Sequence, residues 1–309
     1  TVDAYYTLFK DLVQKKGAQY GISVTGATNG AEELDSIFDA AFGITSTWMK
    51  GSDGHWVYCR VTPNEKEKLE FYVKLYKEGL LDPEYLTKKW DTKEQAFYEG
   101  KAGIVPGVAP SSIDVYANKM MKTQNTTIVP LPPPAGKAQG LGPFVDVIKE
   151  SRGFAIPVTS KVKDSAFAIL DFIWSPAGLK IAKLGIPGVH YIEEPNRYVI
   201  TDRYPEWVNS WFGDSFNGFN PDKPLSRPII TDAAVESGKL AIKYMMPDKT
   251  FLIPEQYITN WDAMTNLYKE YEADIITGKK PISAFDEFVQ KWYRAGGTDL
   301  TKYAQTVLK

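Results

Sequence analysis

The sequence predicts an α/β protein in which helices outweigh strands, and three observations carry that expectation. The first 43 residues alternate helix, strand and helix, the order that places helices on a sheet. Short apolar runs such as YGISV (20–24) and AGIVPGV (102–108) sit between longer amphipathic stretches. The length of 309 residues exceeds one typical domain and suits two lobes or one large α/β unit.

Each element follows from its residues. Tyr5, Leu8, Phe9 and Leu12 recur at helical spacing between the cap residue Thr1 and the stop at Gly17. A second helix is expected over 31–43 and a strand over WVYCRV (56–61), after the turn GSDG (51–54). Thr62-Pro63 opens the next helix, where the missing proline N–H costs nothing. Then come a short helix over 93–101, a strand over 102–108, a helix over 111–122 and a strand over TTIVPLPPP (126–134) that its prolines end. A loop over 135–146, a strand over 152–158 and a helix over 163–175 precede PAGLKIAKLG, which Gly185 terminates. Residues 192–230 are irregular, and helices resume over 231–245, 260–278, 282–297 and the C-terminus.

Composition excludes several function classes. A net charge of −2, without a basic cluster, argues against nucleic acid. The single cysteine, Cys59, rules out an internal disulfide and a cysteine metal cluster. No run of about 18 apolar residues is present to span a bilayer. The chain begins inside a helix, without leader or initiator Met, so a trimmed N-terminus is expected. Aromatic residues reach 13%, including 8 Trp and 18 Tyr, enough to ask whether some of them bind a ligand.

Catalytic signatures are missing. His190, in the turn LGIPGVHY (184–191), has only Tyr191, Glu193 and Glu194 as local partners. There is no GxSxG elbow and no HExxH pair, and His55, His190 and Cys59 have no zinc spacing. No carboxylate pair stands out for a glycosidase, and GKAQGLG (136–142) lacks the context of a phosphate loop. What remains is a set of aromatics in loops: Trp48, Tyr191, and the crowded segment holding Trp207, Trp211, Phe212, Phe216 and Phe219. That segment reads equally as a capping mini-core or as a surface that stacks sugar rings.

Several stretches resemble the extracellular solute-binding proteins of ABC importers that take carbohydrates. Residues 42–85, FGITSTWMKGSDGHWVYCRVTPNEKEKLEFYVKLYKEGLLDPEY, match the family's order of a Trp, a DG turn, a strand, a T/S-P helix start and LYKEGLIDPE. KAGIVPG (101–107), IVPLPPPAG (128–136), LGIPGVHYIEE, IITGKKPISAFDEFVQKW and GGTDLTKYAQTVL are similar to further family segments. Together they cover nearly the whole chain. Two departures stand out: VAPSS follows VPG where the family often has a tryptophan, and the acidic cation loop near the first helix is absent.

The resemblance implies a periplasmic-binding-protein-like (type II) two-lobed fold with an incomplete N-terminal lobe. Residues 1–150 would be the main part of lobe two, 151–255 the returning part of lobe one, and 256–309 helices packing on lobe two. It implies an importer's binding component, not an enzyme, taking an oligosaccharide in an interlobe cleft that a hinge closes. Partners would be the carbohydrate and the ABC permease, with no cofactor and no metal site, and the chain a monomer. Its place would be the Gram-positive cell surface as a lipoprotein, anchored by lipid outside this chain, or the periplasm. Trp48 and Tyr191 are the first expected ligand contacts. Arg152 would fork two hydroxyls or a uronate, and Asn29, Trp207 and Phe219 follow. Ser111 and Ser112 would offer hydroxyls and helix N-terminal amides. A glycan-acting hydrolase and a surface protein docking through its aromatic loop are the alternatives.

Overall fold

The structure, a computed structural model, describes residues 1–144, 154–208 and 221–309. The chain divides into two compact units, residues 1–150 with 233–309, and residues 151–232. Residues 233–255, expected with the returning part, thus fall in the first unit.

In the first unit, α1 (Val2–Lys16) is capped by Thr1, whose hydroxyl accepts the Ala4 N–H at 3.2 Å, and ends at Gly17 in the left-handed region. It lies directly on β1 (Tyr20–Ile22): a Cβ on Gly21 would stand 2.5 Å from Phe9 Cβ, so only glycine allows this approach. There follow α2 (Glu32–Phe38), the hairpin β2 (Trp48–Lys50) and β3 (Trp56–Tyr58), α3 (Pro63–Lys77), α4 (Trp90–Tyr98), β4 (Ala102–Ile104), α5 (Ser111–Gln124) and β5 (Leu141–Phe144). β1 pairs parallel with β4, Tyr20 opposite Ala102, and Ile22 bridges Leu81 on its other side. The segment 126–134, expected as a strand, forms none: Pro130, Pro132, Pro133 and Pro134 have no N–H for a ladder. Residues 154–158 of the strand expected over 152–158 are also irregular.

The second unit holds α6 (Lys163–Trp174), α7 (Pro176–Leu184), the hairpin β6 (Tyr191–Glu193) and β7 (Tyr198–Ile200), and α8 (Tyr204–Val208). The chain rejoins the first unit along α9 (Asp232–Tyr244) and continues through β8 (Met245–Pro247), which pairs parallel with β5. It ends with α10 (Ile258–Ile276), α11 (Ala284–Trp292) and α12 (Thr298–Val307).

Aromatic rings dominate the first unit's core. Trp48 stacks on Phe251 with centroids 5.3 Å apart, and Tyr58 lies parallel to Trp292 at 5.2 Å. Beside these rings runs a buried ionic network. Arg60 forks onto Asp39 with two bonds of 2.9 Å, while Lys68 reaches Asp35 at 2.6 Å, Asp39 at 2.7 Å and Glu65 at 3.0 Å. Burial alone would raise the Asp35 carboxyl, but Arg60 and Lys68 outweigh it and hold the group below its usual range. Lys68 is pushed up because the same carboxylates overcome its desolvation.

Candidate functional site

In open parallel sheets ligands bind outside the carboxyl ends of the strands, where connecting loops supply free backbone and side-chain groups. Here that edge carries residues 23–31 after β1, residues 105–110 after β4, and Asp82. Asn29 lies exposed in the first of these loops. The turn is fixed by Gly30 N–H donating to Gly26 O at 3.2 Å, Ala27 N–H to Lys88 O at 3.2 Å and Lys269 Nζ to Thr28 O at 3.3 Å. Ser111 and Ser112, half-buried, open α5 at the end of the second loop.

One lysine ties the two loops together. Lys93 Nζ donates to Glu33 Oε1 at 2.6 Å and to Pro106 O at 3.0 Å, and Glu33 Oε2 accepts the Thr25 N–H at 2.7 Å. Desolvation lowers the Lys93 ammonium, and Glu33 partly restores it. The same ammonium sits 4.1 Å from the centroid of the Trp90 ring, whose neighbour is Tyr116 at 6.2 Å. Trp90 remains 43% exposed. A large, partly exposed ring held against a fixed cation can stack on the face of a sugar.

Neither Trp90 nor Lys93 was singled out by sequence, because the helix was expected to start at 93 rather than at Trp90. The legible signal is the i, i+3 spacing of Trp90 and Lys93, which places ring and ammonium on one face of a helix.

Trp48 and Tyr191 require correction as ligand contacts. Trp48 is 1% exposed because Tyr58 and Phe251 cover its ring, and its backbone N–H donates to Lys249 O at 3.0 Å. Tyr191 is 2% exposed and packs in a small core with Leu184, Tyr198, Ile200 and Tyr204. His190 is buried too, and its role is internal: Nδ1 accepts the Ile186 N–H at 2.9 Å, fastening the turn after α7. Gly185 takes φ 85° there, against the imidazole. The turn LGIPGVHY therefore presents neither of its rings to a ligand. Trp207 is half-buried, its indole N–H bonded to Ala182 O at 3.0 Å and its ring 5.4 Å from His190. Asn29, Ser111 and Ser112 share the carboxyl edge in the first unit, whereas Trp207 and Tyr191 belong to the second. Arg152 and Phe219 lie outside the described residues.

Among the described residues no cluster of three or more His, Cys, Asp and Glu side chains is arranged to hold a metal ion. The one cysteine, Cys59, is buried, and desolvation pushes its thiol up to about 12, away from nucleophilic use. Among the described residues no single helix is long and apolar enough to cross a membrane.

Comparison with known proteins shows the fold. No family model matches the chain. An uncharacterized protein in the butB 5′ region of Niallia circulans is 26% identical over 257 residues, 79% of this chain and 98% of that protein. Among solved structures, the alginate-binding protein AlgQ2 without calcium ion matches with a TM-score of 0.70 at 19% identity, over 99% of this chain and 67% of that one. The S. pneumoniae ABC-transporter substrate-binding protein FusA, an EF-hand mutant in complex with fructo-nystose, matches at 0.66 and 17%, over 99% and 67%. The N-glycan transport solute-binding protein NgtS from Streptococcus pneumoniae matches at 0.61 and 17%, over 98% and 66%. The chain thus has the helix-rich α/β fold of ABC-transporter solute-binding proteins and spans about two thirds of the length of these structures.

Proposed function

We propose that this chain is the carbohydrate-binding component of an ABC importer and takes an oligosaccharide at the carboxyl edge of β1 and β4. The observation that carries the reading is the exposed Trp90 ring against Lys93, whose ammonium also bonds Glu33 and the Pro106 carbonyl of the loop that leads to Ser111 and Ser112. The ring would stack on a pyranose face, and the turns of that edge would bond its hydroxyls. The fold neighbours support this reading, since proteins that share the fold are described as binding alginate, fructo-nystose and N-glycans. Catalysis is not required of the site, because binding and release are the whole task.

The first unit would serve as lobe two and the second as the returning part of lobe one, with the ligand enclosed in an interlobe cleft by hinge closure. The protein would act as a monomer that hands its sugar to the permease, outside the cell as a lipid-anchored Gram-positive protein or in a periplasm.

Titration with neutral and uronate-containing plant-wall oligosaccharides, followed by tryptophan fluorescence, tests the reading. Saturable binding with the sugar recovered intact is expected. A cleaved sugar would make the protein a hydrolase, and no saturable response to any of these sugars would overturn the carbohydrate assignment.

A further inference from the structure

Beneath the Asn29 turn, the hydrogen-bond geometry counts a proton. Tyr268 Oη lies 2.8 Å from Glu65 Oε1 and 2.8 Å from Glu272 Oε1. A phenol has one hydrogen to donate, so it serves only one of these oxygens. The second contact, equally short, needs a proton that comes from a carboxyl group.

The surroundings say which carboxyl carries it. Glu65 Oε2 faces two cations, Arg60 Nη1 at 2.9 Å and Lys68 Nζ at 3.0 Å. Glu272 makes neither contact; its Oε2 accepts the Ala31 N–H at 3.0 Å. From α2 the neighbouring charges are Asp35 and Asp39, and from α3 they are Glu65 and Lys68 with Tyr72. Arg60 adds one cation, Tyr268 belongs to α10 itself, and Tyr85 lies near enough for its phenol to feel Glu272. Three carboxylates, of Asp35, Asp39 and Glu65, already face the cations of Arg60 and Lys68. They already exceed the two cations by one charge, and burial raises the Asp39 carboxyl in spite of Arg60 and Lys68, so a fourth negative charge in this buried space would deepen the imbalance. The chain of donors runs from Glu272 Oε1–H to Tyr268 Oη, and from Tyr268 Oη–H to Glu65 Oε1.

The other oxygen of Glu272 meets the proposed ligand loop. Ala31 is the residue at which the turn enters α2, and Gly30 precedes it with φ 62°. A Cβ on Gly30 would stand 2.3 Å from Glu272 Oε2, so the turn rests on this carboxyl. We propose that Glu272, buried and uncharged, is the positioning residue for the turn that presents Asn29, and that loss of its proton at alkaline pH loosens that turn. The positioning stands on the first unit's geometry, and its consequence for the ligand rests on the carbohydrate reading above. Burial, reinforced by Asp35 and Glu65 against the Ala31 N–H and Lys68, raises the group to about 8.

A carboxyl raised in the folded state contributes stability that is complete below the unfolded value near 4.3 and is lost as pH rises through about 8. Glu272→Gln keeps an oxygen for Ala31 and an N–H for Tyr268, so it imitates the neutral form at every pH. Glu65→Gln instead turns an amide toward Arg60 and Lys68.

Thermal unfolding of the ligand-free wild type, Glu272→Gln and Glu65→Gln across pH 6.5 to 9.5 separates the cases. The wild type should lose midpoint temperature through about pH 8 relative to Glu272→Gln, and Glu65→Gln should be the least stable of the three near pH 7. Amide NMR shifts of Gly30 and Ala31 should titrate over the same window in wild type and stay still in Glu272→Gln, a readout that needs no sugar. Identical pH profiles in wild type and Glu272→Gln would overturn the proposal, as would shifts that do not move. Should Glu272→Gln not fold, infrared spectroscopy of the wild type decides. A buried carboxylic-acid carbonyl band present near pH 7 and lost above about 8 supports the proton, and its absence refutes it.

Discussion

Trp48 and Trp90 belong to the same compact unit and each opens a short element, yet they have opposite fates. Trp48 begins β2 and is 1% exposed, sealed by Tyr58 from the paired strand and by Phe251 from far along the chain. Trp90 begins α4 and is 43% exposed, with Lys93 one helical turn on pressed toward its ring. What separates them is what later parts of the chain bring to each ring. A hairpin ring needs only one further aromatic to close it off. A ring at a helix start beside the carboxyl edge is covered only in part, because loops there cannot bury their own polar backbone.

Substitutions at these positions should differ widely in their effect on stability. The largest effect is expected from Lys68→Met, which leaves Asp35, Asp39 and Glu65 facing Arg60 alone. Removing one partner of a buried ionic network costs about 3–5 kcal/mol, read as a lower midpoint in urea unfolding. Trp48→Ala should cost a similar amount, about 3–5 kcal/mol, because it opens a cavity between Tyr58 and Phe251. A loss under about 1 kcal/mol would mean that the ring is not core after all. Gly30→Ala places a methyl against Glu272 at a positive φ; a cost of about 1–3 kcal/mol is expected, with the amide shifts of the turn displaced. Trp90→Ala should stand at the other end, at about 2 kcal/mol or less by the same unfolding measurement, since the ring is half in water and gives up one contact, to the buried Lys93 ammonium.

Local chemistry made the helices legible. Thr1 with Gly17 and Thr62 with Pro63 marked boundaries that the structure keeps. The α6 and α7 pair was bounded by Pro176 and Gly185 in the same way. Strands were less legible: WVYCRV keeps strand form only to Tyr58 and turns over from Cys59, and the proline-rich 126–134 segment has too few donors to pair. For the candidate site, loop position pointed to Asn29, Ser111 and Ser112, which lie on the carboxyl-edge loops. Aromatic identity pointed to Trp48 and Tyr191, which are buried. The reason is range: Phe251 lies some 200 residues beyond Trp48, and no local pattern announces that contact. Trp90 escaped notice because it stands in the charged run KKWDTKE, which reads as a solvated face until Lys93 is seen to turn inward toward Glu33. The buried network was hidden for the same reason, since Arg60, Lys68 and Glu272 look like surface charges in one dimension.

In the proposed binding mode the ligand meets the Trp90 edge and not the buried rings. Isothermal titration of wild type and Trp90→Ala with one oligosaccharide that the wild type binds tests it most directly. Trp90→Ala is expected to keep its fold and to bind at least about tenfold more weakly, a loss of about 1.4 kcal/mol or more. Unchanged affinity in a folded Trp90→Ala protein would place the ligand elsewhere on the molecule.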